Sequence, residues 1–461
     1  ARRLDALCRS FSSKDREACN TPLEEIARAP NARRSHADHP DVANALYHAT
    51  PGPASPPSLR LPLPELAVIV GLVIFGSNLF QVMLQDGPME PMVSLIYMVG
   101  WGLGLGMALL TGAIPRAVLQ LPLLAFVILL AVASTLWSVD PPTTLARSFA
   151  LVATSAFGYF LGHYFDLRSL IRLLAINASL ILAVSTVLIF AVPSIGIDDT
   201  DAWRGAWIGA FTHKNSFGAA VASSILVLFY AVLTNRGLLR LGFSVMLGLA
   251  FVLLVGSLSS TSLVMSIVGM LLAVGFVMWQ KARGLSIAIL LASCVAGPIL
   301  ATILAQIDLL GLFLEAVGKD ATVSGRTDIW YLAWPYITDR FWLGYGYDSF
   351  WQPGFPWFSQ FEARLYYRPY HSHNGVIEFW IACGLVGVVA VLLVFFATML
   401  RAALLASGDA ARPEAAFPLI FLVSLALRNI TEAGLVGANS SQWIIFVALA
   451  VILKRDVVFT L

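Results

Sequence analysis

Long apolar runs separated by short polar segments dominate this chain. Stretches of about 20 mostly apolar residues recur near 65–84, 92–110, 117–137, 144–163, 168–192, 215–234, 238–256, 260–279, 285–306, 375–400, 414–430 and 441–454. That length of helix crosses the hydrocarbon core of a bilayer. Backbone polar groups left exposed in lipid are not tolerated, so each run reads as helix. The pattern predicts an all-α polytopic membrane protein with about twelve transmembrane helices. Residues 1–60 differ: they are rich in Arg, Ala, Pro and Ser, lack an apolar run, and end in Pro51-Gly52-Pro53-Ala54-Ser55-Pro56-Pro57. They read as a disordered cytoplasmic N-terminal tail, not a cleavable signal peptide. The membrane domain then occupies 61–461.

Composition narrows the class. Hydrophobic residues make up 58% of the 461 positions and charged residues 12%, with a mean hydropathy of +0.79. Soluble domains carry roughly twice that charged fraction. A soluble enzyme and a disordered chain are therefore excluded. A net charge of +2 also supplies no basic field for nucleic acid. The four cysteines, Cys8, Cys19, Cys294 and Cys383, form no metal-binding or disulfide pattern. No metal or cofactor is expected.

The scarce charges orient the chain. Arg116, Arg168, Arg172, Arg236, Arg240, Lys281, Arg283, Arg401, Arg412, Lys454 and Arg455 fall on one set of short loops and the C-terminus. The opposite short loops carry Asp86, Glu90, Asp140 and Glu432. Basic loops face the cytoplasm, so both termini are expected there. Two outer loops break the rule, 193–214 and 307–374. They hold Arg204, Lys214, Lys319, Arg326, Arg340, Arg364 and Arg368. The second loop is far longer than a helix connection needs and too aromatic between Trp330 and Tyr370 for disorder. Within it, Ile329, Leu332, Ala333 and Tyr336 or Ile337 predict a short amphipathic helix over Asp328–Thr338 on the outer membrane surface, capped by Thr327 or Ser324.

These loops carry recurrent-looking blocks. One is His213-Lys214-Asn215-Ser216-Phe217-Gly218, at the mouth of the sixth helix. Others are Gly325-Arg326-Thr327-Asp328-Ile329-Trp330, then Leu343-Gly344-Tyr345-Gly346-Tyr347, then His371-Ser372-His373-Asn374-Gly375 entering the tenth helix. Trp137-Ser138-Val139-Asp140-Pro141 lies at another outer helix end. In order, spacing and placement they resemble the O-antigen ligase/polymerase superfamily (Wzy/WaaL-like), most of all its ExoQ-like, exopolysaccharide-polymerising branch. The resemblance covers roughly 65–455.

The resemblance implies a GT-C-like glycosyltransferase of the bacterial inner membrane, working at the periplasmic face without a metal. Its donor would be an oligosaccharide on undecaprenyl diphosphate, and its acceptor a glycan hydroxyl. Chain-length regulators and export proteins would be its partners beside the lipid bilayer. A departing diphosphate needs fixed cations, and guanidinium offers bidentate donors to phosphate. Arg204 and Arg326 are the expected pair, unless they anchor headgroups or pair with Asp198–Asp201 and Asp328. His373 is the expected general base, because an imidazole takes a proton at neutral pH. His371 is its neighbour and rival, and Asn374 orients or caps. Lys214 is a candidate phosphate contact, with His213 and Asn215 beside it and Gly218 allowing close helix packing. Arg368 is a candidate substrate contact. Arg147 and Arg428 sit at membrane depth near the outer face, where an ionisable group marks function or snorkels to the interface. Glu378, one turn beyond His373, is expected to hold the imidazole tautomer or pair with an arginine. Trp330, Tyr345, Tyr347 and Trp351 either stack on sugar rings or form an aromatic belt.

Polymerisation of lipid-linked repeats into exopolysaccharide is the leading expectation. A ligase that transfers such a glycan to lipid A core or protein shares the donor. A sugar or lipid-linked-sugar transporter suits the helix count, but it should show internal repeats and mid-membrane charge.

Overall fold

The computed structural model describes residues 62–457 apart from 78, 85–89, 201–202, 280–325, 353, 366 and 409–411. The tail 1–60, the apolar run 285–306, Lys319 and Ser324 lie outside the described residues. Among the described residues every regular element is helical, and the one β-bridge joins Ile197 to Trp207. The helices are α1 (Pro62–Gly76), α2 (Leu79–Leu84), α3 (Glu90–Leu110), α4 (Ala113–Gln120), α5 (Pro122–Ala133), α6 (Pro141–Tyr164), α7 (Leu167–Ala191), α8 (Lys214–Thr234), α9 (Gly237–Gly256) and α10 (Ser260–Trp279). There follow α11 (Arg326–Asp339), α12 (Phe358–Leu365), α13 (Gly375–Ser407), α14 (Phe417–Thr431) and α15 (Ser441–Val457).

By length and composition, seven of the described helices can cross a membrane, or eight if α4 and α5 form one broken span. The chain is thus a polytopic helical membrane protein. The run expected at 117–137 is not straight: α4 and α5 meet at 107°. The break falls at Leu121–Pro122, because proline lacks an amide donor and its ring clashes with the preceding turn. The run expected at 65–84 likewise divides into α1 and α2.

Small residues set the packing. Hydrophobic attraction between helices is weak in lipid, so close backbone approach matters. Gly158-Tyr159-Phe160-Leu161-Gly162 on α6 faces α15, and a Cβ at Gly158 would lie 2.9 Å from the Ile444 carbonyl. Across the same contact the Trp443 indole donates to Ser155 Oγ at 2.8 Å.

The helix ends sort the charge. At one end Arg116 meets His163, Arg168 faces Glu414, Arg172 faces Glu65, and Arg455 reaches the carbonyls that finish α6. The sequence blocks of the two long loops gather at the opposite end.

A break inside α13 organises that end. Gly384 sits at φ +66, in the left-handed region that favours glycine, and interrupts the helix. The carbonyls of Ile381 and Ala382 accept instead from the amides of Tyr345 and Gly346 at 2.8 and 3.0 Å. Leu385 and Val386 donate back to Phe341 and Trp342. The Leu343–Tyr347 block therefore plugs the kink. The Trp137–Pro141 block locks it in place: Val139 donates to the Tyr345 carbonyl at 3.0 Å, the Trp137 indole donates to Leu343, and Asp140 caps α6. Both blocks are scaffold, because they satisfy backbone that the kink would leave bare.

The helix expected over Asp328–Thr338 forms as α11. It buries Ile329, Ala333 and Ile337 against Tyr345, Phe350, Phe361 and Ile381, which gives the long loop its own apolar core. Thr327 lies within α11, so it is not the cap. Tyr345, Tyr347 and Trp351 are buried, and Trp330 donates its indole to the Ser372 carbonyl at 2.8 Å. The three buried rings are packing groups and not open sugar platforms, and the half-buried Trp330 positions the Ser372 loop.

Candidate active site

Three segments meet at one carboxylate. Arg326 opens α11, is 7% exposed, and donates from Nη2 to Glu432 Oε1 at 2.9 Å. The other oxygen, Glu432 Oε2, lies 3.3 Å from Nδ1 of His373, just before α13. Burial raises the Glu432 carboxyl, but its hydrogen bond to His373 and the charges of His373, Arg326 and His371 outweigh this and hold it below its ordinary value. It is an anion at neutral pH.

Local structure explains the placement. Glu432 ends α14, with its amide donating to the Arg428 carbonyl at 2.9 Å. The buried Asn429 accepts from Gly434 and so turns the chain there. An anion at a helix C-terminus opposes the macrodipole, typically by about 0.3–1 kcal/mol. Arg326 and His373 offset that cost. His373 itself has φ +54, a left-handed conformation uncommon outside glycine. Its loop is pinned on every side. Ser372 donates its amide to Glu378 at 2.7 Å, His373 donates its amide to Nδ1 of His371 at 3.2 Å, and Asn374 caps α13 by accepting from Val376 and Ile377. Strain held this way is a property of functional sites.

The first outer loop lies alongside. His213 caps α8, its Nδ1 accepting from the Asn215 amide at 3.2 Å. Burial lowers the His213 imidazole, while Asp198 and Glu432 pull it upward, so the loop lies within electrostatic reach of the cluster. Lys214 is buried, its Nζ 3.5 Å above the Trp203 ring. Asn215 accepts from Ser259 Oγ at 3.2 Å. Gly218 is the expected close contact, where a Cβ would lie 2.8 Å from Ser259 and Ser262. Arg204 occupies the exposed turn that begins at Trp203. A narrow crevice between α8, α10 and α14 has Asn215, Ser259, Arg428 and Glu432 among its lining residues.

The candidates separate by the partners they meet. Arg326, His373, His371 and Arg428 converge around Glu432. Asn374 and Glu378 hold the loop that carries the histidines. The carboxylate facing the imidazole is Glu432, not Glu378, because Glu378 is committed to the Ser372 amide. Arg368 instead pairs with Glu362 at 2.8 Å, and Arg147 pairs with Asp348 at 3.2 Å. Arg340 donates to the Trp137 carbonyl and Arg364 faces Asp328. Glu432 is the residue that sequence reasoning missed. It counted only as a charge marking an outer loop, although it is the sole acid between the last two apolar runs.

His371, His373 and Glu432 each offer a ligand atom, all within 4.8 Å of one another. The set does not suit a resident cation. One carboxylate oxygen already accepts from the buried Arg326 guanidinium, whose positive charge opposes a cation bound beside it.

Burial pushes His371 down to about 4, with the charges of His373, Arg326 and His213 acting the same way and Glu432 opposing. Its folded-state value lies below that of the unfolded chain, near 6.5. The unfolded state therefore binds more protons between about 4 and 6.5, and stability falls as pH drops through that window. The expected result is a melting temperature that declines from pH 6.5 to 4 in the purified protein. His371→Gln should flatten the decline, and an unchanged slope would remove His371 as its source.

A helical membrane protein with a His–Glu–Arg cluster at one end of its bundle is the class that fold and site define. Residues 245–392 match the model of the family described as O-antigen ligase. The chain is also 27% identical over 267 residues to the exopolysaccharide production protein ExoQ of Rhizobium meliloti, covering 56% of this chain and 60% of that relative. Both findings support the resemblance read from the sequence blocks: this chain is similar to the O-antigen ligase/polymerase superfamily and to ExoQ. The family match contains Arg326 and His373 but not the His213–Gly218 block or Glu432.

Proposed function

We propose that this chain is a metal-independent glycosyltransferase of the bacterial inner membrane. It joins undecaprenyl-diphosphate-linked oligosaccharide repeats into exopolysaccharide at the periplasmic face. The observation that carries this reading is the Glu432 carboxylate bridging His373 and Arg326. With its Nδ1 proton directed at Glu432, the His373 imidazole keeps Nε2 free to accept a proton. That tautomer is assigned from the partners. A hydroxyl of the acceptor sugar attacks the anomeric carbon, and its proton passes to His373. The new C–O bond forms as the C–O bond to diphosphate breaks, and the electron pair leaves with the diphosphate. Glu432 stabilises the imidazolium. The leaving charge is met by Arg326, Lys214 and Arg204, and by the N-termini of α8 and α13, whose dipoles favour anions. The basic end of the bundle then faces the cytoplasm, and the GT-C-like description carries over from the family.

The description of the matched family favours a second reading, a ligase with the same donor and another acceptor. One experiment tests both. The purified protein is supplied with undecaprenyl-diphosphate oligosaccharide, alone and with lipid A core. Ladders without added acceptor support polymerisation, transfer only to core supports the ligase, and neither product sinks the transferase reading. EDTA should leave the rate unchanged. Inhibition by EDTA reversed by a divalent ion would contradict the metal-free step.

A further inference from the structure

A second cavity lies behind the cluster. It has a volume of about 470 Å³ and is bounded by α1, α3, α7, α8 and the turn leading into α15. Its polar lining is amide and hydroxyl: Asn177, Asn439, Gln442, Ser216, Ser223 and Ser440. Among the described residues no carboxylate lines it, and its one charged side chain is Arg428. Ser223, Arg428 and Gln442 also line the crevice that contains Glu432, so a single wall separates the cavity from the reaction cluster. Across that wall the Gln442 amide faces Ser223 Oγ at 3.4 Å.

Asn177 points to a ligand. It lies near the middle of α7, is 7% exposed, and its Oδ1 has no hydrogen-bond partner among the described residues. An unsatisfied amide at membrane depth is costly. Carboxamides and hydroxyls match sugar hydroxyls, since each offers both donors and acceptors. A volume of this size falls within the range of small-molecule sites. A polyprenyl chain would want apolar walls, and a diphosphate would want more than one cation.

We propose that this cavity binds the uncharged, hydroxyl-rich end of the acceptor glycan and presents it to His373 past Arg428. The proposal rests on the glycosyl-transfer reading for its role, but not for its test. The probe is a fluorescent repeat oligosaccharide released by mild acid from the polyprenyl-linked pool of the source cells. Its equilibrium binding is measured on the full chain in nanodiscs. Asn177→Leu removes the unpartnered amide. Ser216→Phe fills the cavity from an exposed position at the start of α8, where folding tolerates a larger side chain. Both should weaken binding at least tenfold, while Leu180→Ala, on the lipid-exposed side of α7, binds as the unmodified chain does. Melting temperatures identify the folded variants. Unchanged affinity in a folded Asn177→Leu or Ser216→Phe variant, or no saturable binding to the unmodified chain, overturns the proposal. If the unmodified chain binds the probe yet turns over no lipid-linked donor, the transferase reading fails and the chamber stands. If it turns over donor while the variants bind normally, the chamber fails and the transferase stands.

Discussion

Replacing His373 by alanine should reduce polymer formation by about 10²–10⁴-fold, the usual contribution of a positioned general base. His373 is the imidazole whose Nδ1 faces the Glu432 carboxylate, at 3.3 Å. His371 uses its Nδ1 to accept the His373 amide and is pushed down to about 4 by burial. Its removal should loosen the loop without deleting the base, so His371→Ala should lose far less. Glu432→Gln should fall between them, because a neutral amide cannot stabilise the imidazolium. Turnover of lipid-linked oligosaccharide by the three purified variants decides the order. A His371→Ala variant that is inactive beside an active His373→Ala variant would move the base two residues upstream.

Arg326→Ala should be the other near-null variant, with turnover lowered about 10²–10³-fold by loss of a fixed cation at the departing charge. The buried pair with Glu432 adds a second consequence. Removing one partner of a buried ion pair costs about 3–5 kcal/mol, whereas an exposed pair such as Arg368–Glu362 contributes about 0–1 kcal/mol. Arg326→Ala should therefore also lower the melting temperature, and Arg368→Ala should not. Arg326→Lys separates the two roles. It keeps a charge for Glu432, so it should regain stability. It loses the planar fork that grips phosphate, so it should regain little activity. Polymer of normal yield from folded Arg326→Ala would remove the arginine from the chemistry.

Much of this was legible along the chain. Apolar runs of membrane-spanning length predicted helices, and α3, α6, α7, α8, α9, α13 and α14 form close to those runs. The blocks at Arg326 and His373 were legible in the outer loops mainly through their resemblance to the O-antigen ligase/polymerase superfamily. The bend at Leu121–Pro122 and the break at Gly384 were not found, although a proline and a glycine mark them. A hydropathy window averages over single residues, and whether Gly384 breaks its helix depends on a remote loop ready to take up the freed carbonyls.

The sequence by itself determined the class of molecule, the helical solution forced by lipid, and the two loops in which cations collect against the topology rule. Only the tertiary structure decided which groups act together. Glu432 lies 106 residues from Arg326 and 59 from His373, so no local pattern could join them. The same packing paired Arg147 and Arg368 with acids of their own. It also placed Asn177 against a cavity built from several separate segments. Composition and spacing fix which side chains a segment carries, because lipid and backbone hydrogen bonding act locally. Ion pairs and cavities form between segments, and their partners are set by how the bundle closes.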